Sequence, residues 1–362
     1  MRKIRFGIIG CGSIAATHVQ AIRAIPQAEL IGAASRSEEK AKQFAEKWGF
    51  DYSPDVQALL SRKDIDAVTI CTPSGLHGDI AIAAARAGKH VVMEKPLEIT
   101  LEKADEVIRT CRECGVELGV IFQRRYASGI MQAKQLLADG IIGKLCFGGC
   151  YVKWYRSQEY YDSGAWRGTW KMDGGGVLMN QAIHYVDMLQ YLAGQVKNLS
   201  ARCGTYAHSG IEVEDQAVAH FQFANGALGV LEATANAYPG LAARIDIYGT
   251  QGSLVIENDE LRFVKCRDGR VITGPQQVAE EPVGGPVVPC DLHRQQLTEI
   301  VAAFLQSRAP QVDGREGRKS LELVLAMYDS AFHKRPVELP LQDSLFMNNL
   351  VKAAAGEQKF PQ

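Results

Sequence analysis

Two residues sit in settings that suit chemistry. Residues 90–97 read HVVMEKPL, so Lys95 ends a β-branched, strand-like run and precedes a proline. Proline biases the residue before it toward an extended turn, with the bond trans or cis. Residues 174–187 read GGGVLMNQAIHYVD, so three glycines open a helix carrying Asn180, His184 and Asp187 at i, i+4 and i+7. Those positions share one face of a regular helix. An ammonium at a strand end can stabilise charge developing on a substrate oxygen. An imidazole, with a reference pKa near neutrality, can exchange a proton with a carbinol. Asn180 is expected to bond the substrate or orient the imidazole. Asp187 is expected either to hold the second ring nitrogen or to act as a structural acid.

A redox partner for that chemistry is encoded near the start. Gly10-Cys11-Gly12-Ser13-Ile14-Ala15 matches G-x-G-x-x-G/A between a strand candidate at 3–9 and a helix that stops at Pro26. Gly10 permits the tight turn, and Gly12 leaves backbone open to a pyrophosphate. Ala15 lets the helix pack closely, and Ser13 and Ile14 begin the helix whose N–H groups face the phosphates. The next strand candidate, Ala28–Ala34, ends in Ser35-Arg36-Ser37 with no acid before Glu38. NAD-selective sites usually place an acid there. Arg36 suits the 2′-phosphate of NADP, which favours NADP while leaving NAD open. Thr72 and Pro73 end a buried-type strand at the edge where such sheets bind ligands, and His77 follows. His77 reads either as a cofactor contact or as a polar residue at a helix start. Glu94 belongs with Lys95 at the same edge.

These residues need a scaffold, and the patterning supplies one. Strands and helices alternate to about residue 122, which indicates a doubly wound parallel sheet. Domain boundaries are expected at 1–123 and 124–362. From Lys144 the texture changes to successive strand candidates at 145–154, 197–207, 215–223, 227–237, 242–249, 252–257 and 260–266, with turns such as Asn225-Gly226. Short turns between strands indicate a large, mostly antiparallel open sheet in an α+β domain. Residues 274–289 read as loop, and 291–306 and 315–333 as helices. Tyr155, Tyr160, Tyr161, Trp166, Arg167, Trp170 and Lys171 form an aromatic, basic stretch before the glycines. Aromatic faces suit sugar rings, and cations suit anionic substituents.

Composition narrows the class. The chain has 362 residues, 46% of them hydrophobic, and a formal net charge of −1, which supports a sizeable core and gives no footprint for nucleic acid or a membrane surface. No apolar run approaches the ~20 residues that span a bilayer. The short run after Met1 resembles a secretion signal only superficially, because it carries the dinucleotide glycines, so a cytoplasmic protein is expected. The nine cysteines are scattered; Cys111 and Cys114 form a lone C-x-x-C in a helical pattern. They read as inert thiols in a reducing compartment, and no metal site is expected.

With GCGSIA, CTPSGLH, EKP and GGGVLMNQAIHYVD in this order, the chain resembles the Gfo/Idh/MocA family of oxidoreductases across nearly its whole length. The resemblance implies a Rossmann domain, an α/β substrate domain, and dimers or tetramers joined through its open sheet. It implies that Lys95 and His184 match the family's catalytic lysine and histidine. The family commonly has Asp where this chain has Asn180, so proton transfer is expected to rest on His184. Gln123 and Arg124, with Arg125 and Tyr126, are expected to meet nicotinamide or substrate. His293 and Gln296 lie in a helical region that often returns toward the active site. The stretch 154–181 resembles branches acting on nucleotide-linked sugars. The expected activity is hydride transfer between nicotinamide and a ring carbon of a sugar, cyclitol or nucleotide sugar. The alternatives are redox-neutral elimination or hydrolysis with retained NAD, and a non-catalytic dinucleotide sensor.

Overall fold

The computed structural model describes residues 2–275, 290–342 and 345–352. The expected loop at 274–289 lies outside the described residues from 276 onward. The chain divides into two compact units, 1–123 with 288–318 and 124–287 with 319–362.

The first unit is a six-stranded sheet of β1 (Ile4–Ile9), β2 (Ala28–Ala34), β3 (Asp51–Tyr52), β4 (Ala67–Ile70), β5 (His90–Met93) and β6 (Leu118–Val120). All its pairings are parallel, in the order β3-β2-β1-β4-β5-β6. Helices α1 (Ser13–Arg23), α2 (Glu38–Trp48), α3 (Val56–Leu60), α4 (His77–Arg86) and α5 (Leu101–Glu113) alternate with the strands. β4 is AVTI with every residue buried, the near-continuous apolar reading of a strand covered on both faces. Strand order reverses between β1 and β4, and such a switch point opens the crevice where these sheets bind ligands. α2 is bounded by local chemistry: Ser37 accepts from the Lys40 N–H, and Gly49 ends the helix at φ 67°.

The core of this unit is not contiguous in sequence. Phe6, Ile8, Val19, Ile22 and Val92 pack with Leu297, Ile300, Val301 and Phe304 of the helix Cys290–Leu305. Burying each such side chain stabilises by ~1.5–3 kcal/mol.

The second unit holds a nine-stranded sheet of β7 (Leu145–Lys153), β8 (Val196–Gly204), β9 (Gln216–Phe223), β10 (Leu228–Thr234), β11 (Arg244–Gly249), β12 (Gly252–Glu257), β13 (Glu260–Cys266), β14 (Val271–Thr273) and β15 (Val337–Glu338). Its order is β14-β13-β12-β11-β7-β10-β9-β8-β15, antiparallel except where β7 meets β10. β9 alternates buried and open positions along QAVAHFQF, as a strand with one covered face must. α6 (Ser128–Ala138) and α8 (Ile183–Ala193) cover one face of this sheet. Val218, Leu228 and Tyr248 lie exposed on the other. Between β7 and α8 runs the short helix α7 (Gln158–Asp162). The edge strands β14 and β15 are too short to announce themselves in the sequence. Among the described residues, no helix is long and apolar enough to cross a membrane.

Candidate active site

The loop after β1 has the shape its glycines imply. Gly10 takes φ +94°, and a Cβ there would lie 2.6 Å from the Cys71 carbonyl oxygen. A Cβ on Gly12 would meet no atom within 4 Å, so the first turn of α1 faces open space. That turn, beginning at Ser13 and Ile14, has no side-chain cap. Its N–H groups and positive dipole end are left for an anion. At the neighbouring strand ends, Thr72 Oγ1 and Gln123 Oε1 are buried without a hydrogen-bond partner among the described residues. Buried polar atoms are rarely left so. An open cradle and two unmatched polar atoms fit a nicotinamide dinucleotide. Pro73 begins the turn Ser74–Leu76 beyond Thr72. At the end of β2, Ser35 is half-buried and Arg36 exposed.

His77 is the first residue of α4, and both its ring nitrogens meet backbone carbonyls. Its Nδ1 lies 2.8 Å from the Pro96 carbonyl oxygen and its Nε2 2.9 Å from that of Thr72. Burial lowers its pKa despite those two acceptors. The ring ties the Thr72 turn to the segment after Lys95.

Lys95 is half-buried at the end of β5, and its bond to Pro96 is cis. Glu94, expected at the cofactor, is committed to protein instead. Its Oε2 accepts from the Lys95 backbone N–H at 3.1 Å. Its Oε1 lies 2.8 Å from His18 Nε2 and 3.3 Å from His293 Nε2. Thr69 Oγ1 meets His18 Nδ1 at 2.8 Å. Burial opposes charge on His18, but the Cys71 thiol and the Glu94 carboxylate outweigh it and raise the pKa to about 10. Burial likewise opposes charge on Glu94, and the two histidines overcome it, holding the carboxyl well below its usual range. His18, Glu94 and His293 bring three potential metal-ligating atoms within 4.8 Å of one another, a grouping concealed by their separation in sequence. Gln296, one turn from His293, donates to the Val120 carbonyl at 2.7 Å and accepts from the Phe122 N–H at 3.0 Å.

In the second unit, Glu214 organises the glycine run. Its carboxylate accepts from Gly176 N–H at 2.9 Å, Leu178 N–H at 2.8 Å and the Tyr328 hydroxyl at 2.9 Å. Burial pushes its pKa up to about 7. The helix then opens with a π-helical turn, Leu178–Ala182, before α8. A wider turn breaks the regular periodicity, and such turns are frequent at functional sites. Asn180 and Asp187 accordingly serve different partners. Asn180 donates from Nδ2 to Asp173 Oδ1 at 2.7 Å. Asp187 accepts two bonds from Arg125 at 2.7 Å each and one from the Ser320 hydroxyl at 2.7 Å. Of the two roles open to Asp187, this is the structural one. His184 is 8% exposed on the first turn of α8.

The aromatic stretch divides. Arg167 lies over the rings of Tyr160 at 4.3 Å and Trp166 at 4.5 Å, and Arg156 over Tyr160 at 5.3 Å. Gln181 donates to the Tyr160 hydroxyl at 3.2 Å, tying this cluster to the residue beside Asn180. Tyr155 is half-buried, edge-on to Tyr238. Trp170, expected at the substrate, is instead core: it is 3% exposed and packs edge-on to Tyr328 at 5.3 Å. Arg124 is also spent internally, on Asp259 at 2.6 Å and the Tyr185 hydroxyl at 3.2 Å. A guanidinium buried beside a carboxylate is held by that pairing. Cys111 is buried, which pushes its thiol up to about 12, while Cys114 is exposed.

Sequence reasoning passed over His18, Asp173 and Glu214. His18 had a signal, being polar on the apolar Ala15-Val19-Ile22 face of α1, where a buried side chain needs a partner.

Comparison with known proteins follows the same division. Residues 4–122 match the oxidoreductase family with an NAD-binding Rossmann fold, and residues 130–255 match the GFO/IDH/MocA C-terminal domain. Levoglucosan dehydrogenase of Pseudarthrobacter phenanthrenivorans is 31% identical over 306 residues, covering 74% of this chain and 78% of that protein. Myo-inositol 2-dehydrogenase of Thermotoga maritima is 27% identical over 345 residues, 93% of this chain and 98% of that one. The crystal structure of the WlbA dehydrogenase from Bordetella pertussis, in complex with NADH and UDP-GlcNAcA, superposes with a TM-score of 0.82 at 34% identity, covering 94% of this chain and 100% of that one. The motifs, both sheets and these relatives agree: the chain belongs to the Gfo/Idh/MocA family of NAD-binding oxidoreductases.

Proposed function

We propose that this protein oxidises a ring hydroxyl of a sugar to a ketone, or runs the reverse reduction, and that its substrate is a nucleotide-linked sugar acid. The carrying observation is the cationic aromatic cluster of Arg156, Tyr160, Trp166 and Arg167, tied through Gln181 to the turn that bears Asn180. Ring faces bind the apolar side of a sugar, and guanidinium groups bind carboxylate or phosphate. The UDP-GlcNAcA held by the WlbA dehydrogenase has that chemistry.

The bound nicotinamide supplies hydride acceptance or donation. The chain's residues do the rest. Gly10, Gly12, Ser13 and Ile14 leave the turn and helix end open to the pyrophosphate, while Thr72 and Gln123 offer unmatched polar atoms to the remainder of the cofactor. Lys95 stabilises charge on the reacting oxygen, and His184 takes its proton in oxidation or returns it in reduction. Asn180 bonds the substrate and cannot act as a base. Arg36 supports NADP; the NADH in the WlbA structure supports NAD. The exposed sheet face with Val218, Leu228 and Tyr248 supports self-association into a dimer or tetramer.

The test follows nicotinamide absorbance with NAD and NADP separately, against cyclitols, free sugars and UDP-sugar acids. A signal with UDP-sugar acids alone is the expected result. A signal confined to cyclitols or free sugars refutes the substrate assignment, and silence with cofactor bound refutes the dehydrogenase. Arg36→Ala should weaken NADP about tenfold with NAD unchanged if the guanidinium meets the 2′-phosphate.

A further inference from the structure

We propose that His208 is a positioning residue for the substrate: as an imidazolium it spans Asp215 and the Arg156 carbonyl, and so fixes where the Arg156 guanidinium meets an anionic group of the sugar nucleotide. This inference rests on the sugar-acid reading above.

The His208 ring closes a circuit of hydrogen bonds. The Arg156 N–H donates to the Ala235 carbonyl at 2.8 Å, and the Ala235 N–H donates to the Asp215 carbonyl at 2.9 Å. His208 completes the loop, with Nδ1 3.0 Å from Asp215 Oδ2 and Nε2 2.8 Å from the Arg156 carbonyl oxygen. The side chains of His208 and Asp215 are 5% and 0% exposed. A backbone carbonyl only accepts, so Nε2 carries a proton. Asp215 also accepts from the N–H groups of Tyr206, Ala207 and His208, at 2.9, 2.9 and 3.1 Å. A carboxylate so surrounded stays ionised and only accepts, so Nδ1 carries a proton as well.

The charges agree with that geometry. Burial opposes charge on Asp215, but His208 and the backbone N–H groups outweigh it and hold the carboxyl at about 2. Burial also opposes charge on His208, and Asp215 with the Arg156 carbonyl overcomes it and raises the pKa. The other titratable side chain against the ring is Tyr161 of α7, edge-on at 4.6 Å, whose hydroxyl burial keeps neutral.

What the circuit holds is the residue that carries the cation. Arg156 is buried, and its guanidinium lies over the rings of Trp154 at 5.6 Å and Tyr160 at 5.3 Å. Its Nε is buried without a hydrogen-bond partner among the described residues. Such a nitrogen suits an acceptor that arrives with the ligand. The same loop also steadies α7, which bears Tyr160: Gln158 donates to the Ser209 carbonyl at 3.0 Å and accepts from the Ser209 N–H at 3.0 Å. Loss of one ring proton would set a lone pair against an oxygen and open the circuit at Asp215 or at Arg156.

The experiment measures binding of UDP-GlcNAcA by titration calorimetry, with NADH present, to the full-length wild type, His208→Gln, Arg156→Ala and the double variant. Thermal melting is followed in parallel. A neutral carboxamide cannot donate to both partners. His208→Gln should therefore raise Kd about tenfold, and Arg156→Ala at least as much, the range of a lost charge-assisted bond. The double variant should bind no worse than Arg156→Ala, because His208 acts through Arg156. Between about pH 6 and pH 9, wild-type affinity should weaken as the imidazolium loses its proton, while His208→Gln stays flat. Wild-type affinity in His208→Gln, losses that add in the double variant, or parallel pH profiles overturn the inference. Should His208→Gln fail to fold, an unchanged affinity in Arg156→Ala or a flat wild-type profile overturns it instead. A wild type that binds UDP-GlcNAcA, beside an indifferent His208→Gln, removes this inference alone. A wild type that does not bind UDP-GlcNAcA removes the substrate reading and this inference with it.

Discussion

Glu94 and His18 lie 76 residues apart in the chain and 2.8 Å apart in the fold, both buried. The pair joins the dinucleotide helix to the strand end that carries Lys95, because the other oxygen of Glu94 holds the Lys95 N–H. A buried ion pair adds little net stability against an apolar replacement, but removing one partner strands the other charge. His18→Leu should therefore destabilise the protein by about 3 kcal/mol, near the low end for a broken buried pair because His293 remains. Urea unfolding should show a lower midpoint with an unchanged slope. An unchanged midpoint would mean that Glu94 is not charged in the fold.

The same pair sets a pH dependence. The pKa of His18 stands at about 10 against an ordinary 6.5. Its stabilisation is thus complete below about 6.5 and drains away as pH rises through about 10. Glu94 shifts the opposite way, so its contribution is present above the ordinary 4.5 and is lost only well below it. Urea midpoints measured across the alkaline range should fall in wild type and fall less in His18→Leu. Parallel curves would contradict the assignment.

Lys95→Ala and His184→Ala should each reduce turnover by roughly 10²–10⁴-fold, the span of a lost acid–base or charge-stabilising group. Nicotinamide fluorescence should still report cofactor binding near the wild-type affinity. Normal turnover in either variant would sink its role.

Gly176→Ala tests the support beneath His184. A Cβ at 176 would lie 1.7 Å from the backbone oxygen of Glu214, which no side-chain rotation relieves. The cost should reach or exceed the ~3 kcal/mol upper end of ordinary overpacking. Thermal melting and activity should fall together. A variant with wild-type melting and activity would show that the turn adapts freely.

The sequence was most informative where period and punctuation coincide. β1, the glycine loop and α1 were legible because an apolar run, two glycines and a helical pattern follow one another. The position of Lys95 just past the end of β5 was legible from the β-branched run before it and the proline after it. What remained hidden depended on partners distant in the chain. Arg124 and Trp170 look like surface recognition residues in a one-dimensional reading, yet Asp259 and Tyr328 draw them inward. The π-helical turn at Leu178–Ala182 has no periodic signature of its own, and it interrupts the regular helix on which Asn180 and Asp187 were expected to share a face. β15 holds only two residues, and two residues set no pattern.

The helix Cys290–Leu305 has a consequence for how the molecule is born. Its Leu297, Ile300, Val301 and Phe304 are part of the core beneath the dinucleotide loop, and Gln296 fastens the end of β6. During synthesis, residues 1–123 leave the ribosome while that helix is still untranslated. The nascent Rossmann half must wait with an apolar flank of α1 uncovered, a state prone to aggregation and to chaperone capture. The core beneath the dinucleotide loop is complete only once residues 290–305 have been made.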